Sequence, residues 1–96
     1  MNFTQTERSQ LELLYARRDD KFSQLASLIA KEIGLSEEEA RKEAADAIDR
    51  WGEEADFADN PPEPTTPMQW LLHEFYEIDL EIMNIRDSAI KRMIGA

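Results

Sequence analysis

Apolar residues recur along this chain at steps of three and four, the spacing of one face of an α-helix. The first such stripe runs Leu11, Leu14, Tyr15, Phe22, Leu25, Leu28, Ile29 and Ile33. Thr4-x-x-Glu7 ahead of it has the form of a capping box, which predicts a helix from about 5 to 33. Arg18 falls on this stripe where an apolar residue is expected. It is flanked by Arg17 and Asp19-Asp20, so a break near Asp19-Asp20 is the alternative to one continuous helix.

Gly34 is placed to end that helix in the left-handed conformation. Ser36-x-x-Glu39 is a second capping box, and it predicts a helix over about 37–56 after a very short turn, hence an antiparallel hairpin. The inner face of this second helix is small: Ala40, Ala44, Ala47, Ile48 and Trp51. All four prolines lie between Asn60 and Pro67, predicting a stiff connector over about 58–66. Thr66, Pro67 and Gln69 then supply a cap, a first helical residue and a third capping box, for a helix over about 67–94. That helix carries two apolar stripes. One is Met68, Leu71, Leu72, Phe75, Ile78, Ile82, Ile85 and Ala89; the other is Tyr76, Leu80, Met83, Ile90 and Ile94. The expected fold is all-α, one domain over residues 1–96: an antiparallel three-helix bundle made of a tight hairpin and a long third helix returned by the proline-rich connector.

Composition narrows the chemistry. The 96 residues are 42% hydrophobic and 33% charged, which suits a folded domain, and there is no cysteine for a disulfide, a thiolate site or a thiol nucleophile. No apolar run approaches the roughly 18–20 residues of a membrane span. The first residues have neither a basic region nor an apolar core of a signal peptide, so a cytoplasmic location is expected. The net charge is −10, and it is uneven: residues 34–64 hold eleven acids and three bases. Such a field favours basic partners and repels phosphate backbones, although an acidic surface also serves solubility alone.

Gln24 to Ser36 has the pattern of the first helix and turn of a helix-turn-helix, but the next helix offers Glu37, Glu38, Glu39, Glu43 and Asp46 where base reading needs Arg, Lys, Asn or Gln. Glu43-x-x-Asp46 and Glu74-x-x-Glu77 each set two carboxylates one turn apart, as in the Mg²⁺ sites of all-α nucleotide pyrophosphohydrolases. The order of the two pairs is reversed here and no basic cluster for a triphosphate accompanies them. His73 is a lone histidine, the serines lack a nucleophile elbow, and three glycines make no phosphate loop. No enzyme, catalytic residue, metal or cofactor is therefore expected. Ala16-Arg17-Arg18, Leu25-x-x-Leu28 and Gly34-Leu35-x-x-Glu38-Glu39-Ala40 are similar to the central helices of the zeta-type inhibitor subunit of bacterial ATP synthase. The resemblance covers about a third of the chain. Neither that family's inhibitory N-terminal segment nor its C-terminal helix has a counterpart, so no function is carried over.

The sequence thus points to a non-enzymatic protein-binding module, a small regulator or inhibitor offering an acidic helix to a basic protein surface. A phage-type inhibitor of a host defence or nucleic-acid enzyme, or an antitoxin, would have this character. The acidic surface is assigned to Glu37, Glu38, Glu43, Asp46, Asp49, Glu53, Glu54 and Asp56. Trp70, within the aromatic set Trp51, Phe57, Trp70 and Tyr76, is the candidate anchor. Tyr76, Leu80, Met83, Ile90 and Ile94 are assigned to self-association as a homodimer. The competing reading is an assembly or chaperone subunit held by its apolar third helix. Nucleic acid and membrane are not expected partners. In a gel shift at low salt, micromolar protein should leave DNA and RNA unretarded.

Overall fold

The computed structural model describes residues 3–57 and 62–95. These form three helices and no strand: α1 (Gln5–Ile33), α2 (Glu37–Phe57) and α3 (Pro67–Gly95). The observed bounds match the expected ones to within one residue. α1 runs unbroken through Asp19 and Asp20. Part of the expected connector lies outside the described residues; residues 62–65 have no regular structure and Thr66 is a bend.

The helix ends show why the boundaries fall where they do. The Thr4 box is complete. The Glu7 N–H donates to Thr4 Oγ1 at 3.1 Å, and the Thr4 N–H donates to Glu7 Oε1 at 2.9 Å. Ser36 Oγ accepts from the Glu39 N–H at 3.2 Å. Gly34 takes φ +77° and its N–H caps the Ala30 carbonyl at 2.9 Å, a conformation that only glycine adopts without strain. At α3, Thr66 Oγ1 accepts from the Gln69 N–H, but Gln69 Oε1 turns to Thr65 and accepts from both its N–H and its hydroxyl. The third box therefore closes one residue earlier than its spacing suggested, because Thr65 presents two donors to one oxygen.

Pairings between helices fix their directions. Glu7 meets Arg92, Arg18 meets Asp79 and Lys21 meets Glu74, so α1 and α3 run antiparallel along their length. Trp51 lies against His73 and Asp56 against Tyr76, so α2 and α3 run the same way. α3 consequently begins at the end of the bundle where α2 begins, with Met68 packed in the same cluster as Ala30, Leu35 and Ala40.

The core has two parts. A head cluster draws on all three helices: Leu25, Ala26 and Ile29 from α1, Ala40, Ala44 and Trp51 from α2, and Leu72 from α3. Ala40 and Ala44 are wholly buried, so small side chains let α2 lie close to α1 while Trp51 supplies apolar bulk. A tail cluster of Leu11, Leu14 and Ile82, bordered by Phe3, Tyr15, Ile78 and Ile85, contains no residue of α2. The molecule measures 52 × 31 × 18 Å, three helices deep at the head and two at the tail.

Arg18, out of place in the apolar stripe, sits where head gives way to tail. Its guanidinium donates to Asp79 Oδ1 at 2.7 Å and lies 5.0 Å over the Tyr15 ring. Together with Lys21–Glu74 it fixes the register of α1 on α3. Part-exposed pairs of this kind stabilise by at most about 1 kcal/mol each, so burial rather than charge holds the helices together.

Glu7 and Arg92 pin the far end of the tail through two bonds, at 2.6 and 2.7 Å. The Arg92 guanidinium first, and the Thr4 N–H second, lower the Glu7 carboxyl from 4.5 to about 2. The folded chain thus keeps Glu7 ionised where the unfolded chain takes up a proton. Its stabilising effect is whole above pH 4.5 and is lost as pH falls from 4.5 through 2. Glu7→Gln should lower the denaturation midpoint at pH 7, and the gap from the unmodified chain should shrink as pH falls through that window.

Candidate functional site

α2 and α3 touch closely at Trp51 and then leave an open groove of about 380 Å³ between them. Asp49, Glu53 and Asp56 form its α2 wall, one helical face at steps of four and three. Phe75, Leu80 and Met83 line it from α3, with Asp79 beside them. Phe57 stands at the end of α2 and is 85% exposed. Gly52 contributes only backbone to the lining. A Cβ built there would meet nothing within 4 Å, so the packing of the chain does not require glycine at this helical position. The Tyr76 hydroxyl donates to Asp56 Oδ1 at 2.6 Å and ties the end of α2 to α3. That bond, with burial and the Asp56 charge, raises the Tyr76 phenol above its ordinary 10.

All eight acidic residues singled out in the sequence are exposed, but the structure sorts them into three groups. Glu37, Glu38 and Asp46 pair with Arg41, Lys42 and Arg50 one turn along the same helix. Asp49, Glu53 and Asp56 come together on the groove. Glu43 and Glu54 lie outside it. Asp49 and Glu53 make no ion pair among the described residues, so the groove wall carries uncompensated negative charge.

The aromatic set divides as well. Trp51 is buried in the head core, Tyr76 is half-buried at the groove, and Phe57 stands at its rim. Trp70, at 52% exposure, lies outside the groove with its ring edge-on to His73, which also meets Trp51 edge-on. His73 Nε2 lies 2.7 Å from Glu77 Oε1, one turn along the same helix. Of the self-association residues, Leu80, Met83, Ile90 and Ile94 are exposed, whereas Tyr76 is committed to Asp56 and the head core.

The paired carboxylates do not converge. Glu74 is held by Lys21, Glu77 by His73 and Asp46 by Arg50. Among the described residues no group of three or more His, Asp or Glu is gathered closely enough to hold a metal ion. No helix among them is long and apolar enough to cross a membrane.

Sequence reasoning treated the acidic helix and the apolar helix as separate surfaces. It did not assign Gly52, Phe57, Phe75 or Asp79 to a site. A signal was available on α2, where Asp49, Gly52, Glu53, Asp56 and Phe57 share one face, but nothing in the sequence set that face against Leu80 and Met83.

The Asp56–Tyr76 bond can be read directly. In an ultraviolet titration, ionisation of Tyr76 should fall above the ordinary phenol value, and Asp56→Asn should bring it down by removing both the charge and the stronger acceptor.

Compared with known proteins, the chain matches no family model, no curated protein and no solved structure, and the partial likeness of residues 16–47 to zeta-type inhibitor subunits therefore stays a local one.

Proposed function

We propose that this protein is a non-enzymatic binding module, a small regulator or inhibitor, that receives a basic segment of another protein in the groove between α2 and α3. The observation that carries this reading is the joining of unpaired carboxylates to an apolar floor. Asp49 and Glu53 face Leu80 and Met83 across the groove and have no cation of their own among the described residues. Desolvating an apolar side chain is favourable by roughly 1.5–3 kcal/mol, while charge of one sign sets which partners approach and how fast. A segment with Lys or Arg on one side and Leu or Met on the other meets both demands. Gly52 supports the same reading. A glycine inside an exposed helix destabilises it by about 1 kcal/mol relative to alanine, and here the space it leaves opens into the groove. An inhibitor of a nucleic-acid enzyme or an antitoxin would work in this way, its carboxylates taking the place of phosphates on a basic surface.

The competing reading is an assembly or chaperone subunit docked through apolar α3, supported by the exposure of Leu80, Met83, Ile90 and Ile94. Salt separates the two, since charge-led binding weakens with ionic strength and apolar docking does not.

The test uses an amphipathic Lys/Leu helical peptide as probe, its affinity followed by tryptophan fluorescence. Asp49→Lys with Glu53→Lys should weaken binding by about tenfold or more. Glu43→Lys with Glu54→Lys, the same change in net charge away from the groove, should weaken it far less. Gly52→Leu should block the groove and raise thermal stability together. Equal losses from both charge pairs would reduce the effect to net charge and sink the groove as the site.

A further inference from the structure

The face of α3 that meets α2 does not stop where α2 stops. Tyr76, Leu80, Met83, Asp87, Ile90 and Ile94 follow one another at alternating steps of four and three, the spacing of a helix-pairing seam. In the head, α2 lies over this seam at Tyr76. Beyond Phe57 no described residue covers it: Met83 is 52% exposed, Ile90 39% and Ile94 81%. α1 cannot cover it, because α1 occupies the opposite side of α3, against Ile78, Ile82 and Ile85.

We propose that a second copy of this chain covers the seam, the two α3 helices lying antiparallel so that the two-helix tails form a four-helix layer and the acidic heads point to opposite ends. Charge on the page selects this occupant. Residues 3–18 and 79–95, which make up the tail, hold five acids and six bases, a net +1, so the rest of the chain carries −11. A second tail therefore meets no net repulsion, and a strongly charged partner finds nothing there to attract it. The same segregation selects the antiparallel arrangement. Parallel tails would set two strongly acidic heads side by side. Antiparallel ones separate them along a molecule 52 Å long, against a screening length of about 8 Å at physiological salt. Asp87 interrupts the seam near its middle with Arg86 beside it, and neither makes an ion pair among the described residues. A two-fold axis passing near Asp87 sets the two Asp87 side chains close together with the Arg86 of each chain beside them, since any contact made by one subunit is repeated by the other. A polar seam residue of this kind fixes register.

The seam shares Leu80 and Met83 with the groove, but Ile90 and Ile94 lie outside it, so their substitution tests the dimer apart from the groove. Sedimentation equilibrium of the full chain at tens of micromolar should give twice its 11.1 kDa mass. Ile90→Glu with Ile94→Glu should weaken association by roughly a hundredfold through burial of unpaired charge, with unchanged helicity. Leu13→Glu, on an α1 position that is 58% exposed, should leave the mass as it is. The chain has no cysteine, so single thiols report the direction. Asp87→Cys, near the axis, should cross-link two copies on oxidation, and Ile94→Cys, at the far end, should not. A monomeric mass, or a dimer untouched by the Ile90 and Ile94 changes, would overturn the dimer. Efficient cross-linking through Ile94→Cys would overturn its antiparallel arrangement.

Discussion

The unequal length of the helices governs the rest of this structure. α1 and α3 have 29 residues each and α2 has 21. At 1.5 Å per residue that is about 43 Å against about 31 Å. A two-helix layer can bury one stripe of each helix, and a third helix is needed to bury a second. α2 supplies it only over the head. The core accordingly falls into two clusters, and the apolar residues of α3 that lie beyond α2 remain exposed.

How α2 is attached explains the groove. Its first half is held by Ala40 and Ala44, which have no exposed surface, and its second half by the single large contact of Trp51. Close approach is possible only where the side chains are small. After Trp51, Gly52 withdraws a side chain and the helices part, with the Asp56–Tyr76 bond as the last tie between them. Asp49 and Glu53 on this wall make no ion pair among the described residues, unlike Glu37, Glu38 and Asp46 earlier on the same helix. Among the described residues, the ion-paired carboxylates of this helix thus all precede the groove wall.

The tail is kept together differently. Its core is slight, and it closes with polar links: Arg18 to Asp79 at its upper limit and Glu7 to Arg92 at its end. Glu7 has two tasks, since the carboxylate that receives the Arg92 guanidinium also completes the Thr4 cap of α1. The start of α1 is therefore coupled to the last turns of α3, and fraying of either exposes the other.

Three helices, their ends and the face each turns inward were legible in the sequence, because caps, a left-handed glycine and 3.6-residue periodicity are local properties of a helix. Thr4, Gly34 and Thr66 mark the boundaries wherever the helices go, and Leu25, Ile29, Ala40, Ala44 and Ile82 announce burial by spacing alone. The partners of those faces were not legible. That Arg18 belongs in an apolar stripe depends on Asp79, sixty-one residues away. That Tyr76 joins the head, while Leu80 and Met83 on the same stripe stay exposed, depends on where α2 ends in space. The acidic face of α2 and the second stripe of α3 looked like two surfaces because a helix pattern gives direction around its own axis and nothing about its neighbour's. Only the tertiary structure, by running α2 and α3 the same way and parting them after Trp51, made the two into one groove.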